Sequence, residues 1–565
     1  DSEGLAPYFR GELTKWVKKK LREDEYKKPD GTRYNIYTDG LKIYTTIDSK
    51  MQRHAEASVT KNMKRVQDRY FKVWDGKDPW SYKTDDKQVK IRKDALNRLI
   101  QQSPRYLLIK DRFMSKIFAN VIADISSAKL RNIDMIRMLK QEKNKGYFAD
   151  IVDAKWATKS QVKTYKEIMN SVHWKQLKSD WRKMEKEVRR VFGKKVKMKV
   201  YDYETNGFKT VNMTPLDSIK YLRQHMQSGM LAIEPSTGYV KAWVGGINHR
   251  VFQYDHVNSN RQVGSTFKPF VYGTAISVQG VSPCWEVDDV QYSIAANDAD
   301  FKLLKKWQPS NSDNKFSGLP LTLYEALKKS KNSVSVYLMK ELGDPQAVIG
   351  LASNMGIPRK KIPSVPSICL GTPELSLMDM TSAYSTFANN GIHNTPSFVT
   401  RIETRDGQLI YSSVPDQHMA MAADYNYVMV DMLKYAASFI ANKFETQVGG
   451  KTGTTNDYVD GWFMGITPNL TVGTWVGGED PWIRFLSLAD GQGGVMARPT
   501  FVDFLQRVEA DKTIDFEVGA SFKKPDGFDI QTNCNVYDVE KKKDAAKRFA
   551  EEAMDEMFDE EDEEN

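Results

Sequence analysis

The sequence predicts a mixed α/β (α+β) fold, a mainly antiparallel sheet covered by helices, with a helical domain inserted ahead of it. Three observations lead there. Two pairs of apolar runs are joined by tight turns: MLAIEPSTGYVKAWVGG turns at Pro235, Ser236, Thr237 and Gly238, while DGWFMGI and LTVGTWVGG are joined through Thr467, Pro468 and Asn469. Helical runs, RQVGSTFKPFVYGTAISV and LTLYEALKKSKNS, lie between these hairpins. Upstream, from about Lys64 to Val200, the chain is rich in Lys and Arg and nearly free of Gly, with apolar residues at helical spacing in ALNRLIQQ, SKIFANVIADI and LRNIDMIRML.

At 565 residues the chain has room for two or three domains, and 40% hydrophobic with 28% charged residues is a globular composition. No apolar run approaches the roughly 18 residues of a membrane helix. There is no signal peptide, and a chain beginning at Asp1 is expected to be a piece of a longer one. The net charge is +10, yet the last fifteen residues carry ten acidic side chains and no Lys or Arg, so the rest stands near +20. Such an excess suits an acidic surface, whether anionic lipid, wall polymer or protein, although a solvated basic face is the simpler reading. No nucleic-acid reading motif accompanies it. Cys284, Cys369 and Cys534 are too few and too scattered for a disulfide framework or a zinc site, and Cys369 reads as a core residue. Seven histidines include no His-Glu-x-x-His pair, so no metal is expected. Gly450-Lys451-Thr452 imitates the end of a phosphate-binding loop, but Glu445 stands where that loop requires Gly.

Taken in order, residues 1–63 read as a connector and linker region. PYFRGELTKWVKKKLREDE is an amphipathic helix and KKPDGTRY a turn; a strand then runs into a helix capped by Asp48 or Thr46. Residues 64–211 form the basic, mainly helical insert. Its tryptophans 74, 80, 156, 174 and 181 could meet a glycan strand or a partner, but a helix core with a solvated surface explains them more simply. The next domain, which holds the two predicted hairpins, spans 212–511, with PTFVDFLQRVEA as its closing helix. Residues 512–565 are a polar extension, in which EKKKDAAKRFAEEAMDEMFDEEDEEN reads as a charged helix fraying into an acidic tail.

The chemistry centres on RQVGSTFKPF. If Gly264–Ser265 opens a helix, Ser265 and Lys268 share one face. A hydroxyl needs an adjacent base to attack a carbonyl near neutral pH. A lysine serves only when neutral, which requires burial or neighbouring positive charge. The first helical turn favours the resulting oxyanion. Ser-x-x-Lys alone carries little weight, since the spacing recurs from Ser58, Ser126, Ser160, Ser312 and Ser521. Two further elements follow it in sequence: Ser330-Lys331-Asn332, then Lys451-Thr452-Gly453-Thr454. Ser312-Asp313-Asn314 competes with the middle element, but it lies among turn formers, whereas Ser330 and Asn332 end a helix able to hold them rigidly. The order Ser-x-x-Lys, Ser-x-Asn, Lys-Thr-Gly is that of serine acyltransferases that react with penicillin.

From about Tyr37 to about Val508 the chain resembles the transpeptidase part of class A, bifunctional penicillin-binding proteins. The resemblance includes GLKIYTTIDSKMQRHAEASV, CLGTPELSLMDMTSAYSTFANNGI and GGKTGTTNDYVDGWFMGITPNLTVGTWVGG; it is weakest across the insert. It implies the serine β-lactamase/D,D-transpeptidase fold and a peptidoglycan transpeptidase acting through an acyl-enzyme. Ser265 would be the nucleophile and Lys268 its base, with Ser330, Asn332 and Lys451 completing the relay. Lys451, Thr452, Gly453 and Thr454 would bind the substrate's carboxylate end, and the backbone N–H groups of Ser265 and Thr454 would form the oxyanion hole. No cofactor is implied. The implied partners are stem peptides and glycan strands of peptidoglycan, β-lactams as covalent inhibitors, and other cell-wall synthesis proteins; nucleic acid is not among them. Class A proteins carry a membrane anchor and a glycosyltransferase domain before this region, and neither is found in this sequence; the expected location is the periplasm or the outer face of the cytoplasmic membrane. A D,D-carboxypeptidase or β-lactamase-type hydrolase is one alternative, and a non-catalytic β-lactam sensor or scaffold another. Glu-x-x-Leu-Asn, the deacylation pattern of one β-lactamase class, is absent from the sequence.

Overall fold

The computed structural model describes residues 4–205 and 207–538. The described residues divide into two compact units, one formed by residues 4–76 with 225–538 and the other lying within 77–224. These limits differ from the sequence expectation of 64–211. The helix that begins at Ser49 runs unbroken to Val73, and burial at Val59, Met63, Val66 and Tyr70 keeps it in the larger unit.

The larger unit is built on a five-stranded sheet: β1 (Gln227–Glu234), β2 (Tyr239–Val244), β3 (Gly449–Thr454), β4 (Asp460–Ile466) and β5 (Thr471–Gly477). Its order is β3-β4-β5-β1-β2, antiparallel throughout. Every residue of β4 and β5 is buried, so both faces are covered and the strands read as continuous apolar runs. Helix α1 (Pro7–Lys20) precedes α2 (Ser49–Val73), whose start is fixed by the Asp48 carboxylate accepting from Lys50 N at 2.8 Å and Met51 N at 2.9 Å. Thr46, the other candidate cap, instead donates from Oγ1 to Val240 O at 2.7 Å.

Four more helices position the site: α3 (Lys268–Gln279), α4 (Leu323–Lys328), α5 (Asn332–Leu342) and α6 (Leu377–Ala388). Phe270 of α3 packs against Tyr384 and Phe387 of α6, which fixes the helix that begins at Lys268 in a closed core. Helix α7 (Arg498–Ala510) closes the unit with Phe501, Phe504 and Leu505 fully buried.

Two expectations need correction. Cys284 and Cys534 form a disulfide across 250 residues, while Cys369 is free and buried. The stretch after α7 also has more than polar character: Phe522, Phe528, Ile530 and Tyr537 pack on the core, and Gln447 N donates to Ala520 O at 3.0 Å. A strap of this length is bound by a few apolar anchors and one covalent tie, which leaves little periodic trace in sequence. The charged stretch and acidic tail from Glu540 onward lie outside the described residues.

The smaller unit holds helices Asp86–Gln102, Pro104–Asp124, Asn132–Lys143, Tyr147–Asp153, Lys159–Asn170, Trp174–Gly193 and Pro215–Arg223. Met114, Leu177, Trp181 and Met184 form part of its own core, whereas Trp156 is exposed. It also contains an antiparallel pair, Val196–Asp202 with Gly207–Met213, in a stretch read as mainly helical. The alternation Lys195, Lys197, Lys199 against Val196, Met198, Val200 is a period of two, and it signals that hairpin. Among the described residues, no helix is long and apolar enough to cross a membrane.

Candidate active site

A 3-10 turn, Gly264–Phe267, leads into α3 and carries Ser265 at its second position. Lys268 N donates to Ser265 O, so serine and lysine sit on consecutive turns of one rigid piece of backbone. Three contacts hold that turn in place. Gly264 N donates to Gly371 O at 2.9 Å, Tyr384 OH to Thr266 O at 2.6 Å, and Trp462 Nε1 to Gln262 O at 2.9 Å. Gly264 has φ +55°, and a Cβ there would lie 2.7 Å from Thr454 O. Glycine therefore lets the turn rest directly on the backbone of β3, beside Thr454.

Ser330 sits in the break between α4 and α5 and Asn332 opens α5, where the sequence reading had one helix ending at them. Ser330 has φ +55°, an uncommon conformation for a residue with a side chain. Its N–H closes α4 by donating to Leu327 O, and Lys331 N donates to Ala326 O. The turn aims two acceptors at Lys268, whose Nζ donates to Ser330 O at 2.7 Å and to Asn332 Oδ1 at 2.8 Å. Asn332 Nδ2 donates to Ser310 O, which fixes the amide with its oxygen toward the lysine. Lys451 Nζ, on β3, donates to Ser330 Oγ at 2.8 Å and to Thr452 O at 3.0 Å. One serine thus joins two lysines, its carbonyl to one and its hydroxyl to the other.

Both lysines are buried, Lys268 completely and Lys451 to 2% exposure. Burial is the main reason that Lys268 protonates well below the usual lysine range, with the charge of Lys451 adding to the effect. Burial lowers Lys451 to about 7. A neutral amine at Lys268 spends its two N–H bonds on Ser330 O and Asn332 Oδ1, so its lone pair is left as an acceptor.

Ser265 opens onto a cleft of about 580 Å³ whose walls include Asn332, Thr454, Trp307 and Tyr458. β3 is the edge strand of the sheet, and its Thr452 and Thr454 are half-buried. Gly453 lies between them, opposite Trp462 of β4. Thr454 Oγ1 accepts from Gly493 N at 3.0 Å. All the residues singled out from sequence, Ser265, Lys268, Ser330, Asn332, Lys451, Thr452, Gly453 and Thr454, are therefore carried by three adjoining pieces of backbone. Sequence reasoning missed Asp289, Ser310 and Asn311 behind the middle element; a buried carboxylate among turn formers has no periodic or spacing signal. The Ser312-Asp313-Asn314 loop is next to them but supplies no hydrogen bond to either lysine. Among the described residues no group of His, Cys, Asp and Glu could hold a metal.

Residues 228–478 match the penicillin binding protein transpeptidase domain, and residues 143–226 match the penicillin-binding protein middle domain. The fold and site thus define a penicillin-binding protein of transpeptidase type. Penicillin-binding protein 1A of Rickettsia bellii is 27% identical over 542 residues, covering 90% of this chain and 58% of the relative. The protein of the same name from Neisseria gonorrhoeae is 32% identical over 327 residues, 55% of this chain and 39% of its own length. The crystal structure of penicillin-binding protein 1A from Haemophilus influenzae has the same fold, with TM-score 0.55 and 17% identity over 90% of this chain and 71% of that one. The chain belongs to the class A penicillin-binding proteins as their transpeptidase region, and its match covers 36–58% of the length of the curated relatives.

Proposed function

We propose that this chain is a peptidoglycan D,D-transpeptidase that cross-links stem peptides through an acyl-enzyme on Ser265. The observation that carries the assignment of roles is the buried Lys268, which has two acceptors for its N–H bonds and a second buried cation nearby. Ser265 Oγ attacks the carbonyl between two D-alanines while its proton passes to the lone pair of Lys268. The Ser265 and Thr454 N–H groups receive the oxyanion, at about 3–4 kcal/mol per donor. Ser330 Oγ, held by Lys451, hands a proton to the departing D-alanine amine and takes one back along the lysine relay, so that the proton Lys268 accepted from Ser265 is the one delivered in the net step. That amine leaves with the electrons of the C–N bond, and the ester to Ser265 remains. A second stem peptide's amine then attacks the ester, its proton returns along the same relay, and Ser265 Oγ is released. Thr452 and Thr454 meet the terminal carboxylate, and the open edge of β3 pairs with the extended peptide. A β-lactam enters the same path and stops at the ester.

The same reading places the protein in the periplasm or on the outer face of the cytoplasmic membrane, as part of a longer chain with an anchored glycosyltransferase region. Its partners there are glycan strands and other wall-synthesis proteins. The test is a peptide ending in D-alanyl-D-alanine, supplied with a D-amino acid as acceptor. Release of D-alanine with formation of the exchanged peptide supports transpeptidation; release with hydrolysed peptide alone assigns a carboxypeptidase instead.

A further inference from the structure

The break between α4 and α5 has to hold Ser330 and Asn332 against Lys268 although it is a short, partly left-handed turn. What holds it is a buried polar cluster that the reaction itself does not use. Asp289 is fully buried and follows the short strand Glu286–Asp288, which pairs with Pro320–Thr322, the strand that runs directly into α4. Its Oδ1 accepts from Ser333 Oγ at 2.6 Å and from Asn311 Nδ2 at 2.9 Å. Its Oδ2 accepts from Lys331 Nζ at 2.9 Å, Ser317 N at 3.0 Å and Ser317 Oγ at 3.1 Å. The Asn311 amide, oriented by this carboxylate, presents its own Oδ1 to Asn332 N at 2.8 Å and Ser333 N at 3.2 Å.

We propose that Asp289, acting through Asn311, is a positioning residue for acylation: it sets the Ser330–Lys331–Asn332 segment so that Ser330 O and Asn332 Oδ1 meet Lys268. The inference rests on the transpeptidase reading above. Both carboxylate oxygens face donors, so the amide of Asp289→Asn cannot be placed without conflict. On one side its NH₂ meets the Lys331 ammonium and Ser317 N–H. On the other it meets Asn311 Nδ2, and turning Asn311 over to accept removes the oxygen that holds Asn332 N and Ser333 N. Either way the grip on the first turn of α5 is lost. Burial alone would push the Asp289 carboxyl up, but hydrogen bonds from Ser333 and Lys331, then Ser317 and Asn311, hold it well below the usual carboxylate range, so the cluster is built around the anion. The loop holding the Ser312-Asp313-Asn314 look-alike thus contributes through its neighbour Asn311, which clamps the working element.

The experiment measures benzylpenicillin acylation in the full chain, separating the noncovalent constant K from the acylation rate k2, together with thermal unfolding. Asp289→Asn and Asn311→Ala should each lower k2 by about ten-fold or more while K changes by less than about three-fold, because chemistry is more sensitive to sub-ångström placement than binding is. In an Asn332→Ala background the same Asp289→Asn change should cost at least about three-fold less in k2 than it does in the wild type, since the part of its effect carried by Asn332 Oδ1 is already gone. Wild-type k2 in folded Asp289→Asn or folded Asn311→Ala overturns the proposal, as does a loss that multiplies in full with Asn332→Ala. If Asp289→Asn does not fold, Asn311→Ala alone decides by the same criterion. Failure of the acyl-enzyme step on which it rests would look different, since the unmodified chain itself would then not acylate; a chain that acylates but only hydrolyses its peptide leaves this inference standing.

Discussion

Gly264→Ala tests the account where its geometry is tightest. The added methyl would lie 2.7 Å from Thr454 O, 3.0 Å from Thr454 C and 3.2 Å from Thr454 N, all backbone atoms of a paired strand. Ordinary contact begins near 3.4 Å, so the turn bearing Ser265 and the end of β3 must part by about 0.7 Å. The φ of +55° adds about 1–2 kcal/mol of strain for alanine. The parting separates the Ser265 and Thr454 N–H groups that would jointly receive the oxyanion. A displacement of that size costs roughly 10–100-fold in rate, approaching 10³-fold if one donor is lost outright. The assay is k2 for benzylpenicillin with unfolding by urea on the same variant. A folded variant that acylates at the wild-type rate would refute the reasoning, because the close approach would then carry no catalytic weight.

Lys451→Met should slow acylation and shift its pH profile. As the proposed base, Lys268 works only when neutral, so k2 should rise with pH through its folded pKa, which burial first and the Lys451 charge second hold down; removing that charge raises the pKa, and the acid limb should move to higher pH in k2 measured from about pH 5 to 9. Lys451 itself is lowered to about 7 against an unfolded value of 10.5, so the folded state binds fewer protons between those values; urea unfolding should therefore show wild type gaining stability over Lys451→Met as pH rises through that window. Ser330→Gly and Ser330→Ala both remove the hydroxyl held by Lys451 and should each lower k2 by about 100-fold, but at φ +55° glycine should be the more stable by about 1 kcal/mol in urea unfolding. Paired Cys284→Ser and Cys534→Ser changes should cost about 2–5 kcal/mol in denaturation and open residues 512–538 to protease.

Much of the fold and the centre of the site were legible because they rest on local signals. The two hairpins around 235–238 and 467–469 combine apolar strands with turn formers, and they account for four of the five strands in the central sheet. Ser265 and Lys268 are three apart on one piece of backbone, and the other two elements follow in an order that narrows the chemistry. What was hidden depends on contacts between distant residues. The left-handed conformation of Ser330 arises where two helices meet, and nothing in LYEALKKSKNS marks the break there. Asp289 comes 41 positions before Ser330 in an ordinary turn-rich stretch, and only folding surrounds it with donors. Cys284 and Cys534 are separated by 250 residues, so their pairing has no spacing to read. The Val196–Asp202 and Gly207–Met213 pair did have a signal, an alternation of lysine with apolar residues, which the helical character of the preceding stretch overshadowed.

The central claim is that Ser265 is the acylated nucleophile, activated by Lys268. It is tested most directly by intact mass after incubation with benzylpenicillin, followed by peptide mapping, for wild type, Ser265→Ala and Lys268→Ala. Wild type should acquire one stable adduct, mapped to Ser265, Ser265→Ala none, and Lys268→Ala a far slower one. An adduct that survives in Ser265→Ala, or a folded wild-type chain that neither acquires an adduct nor hydrolyses the drug, would contradict it.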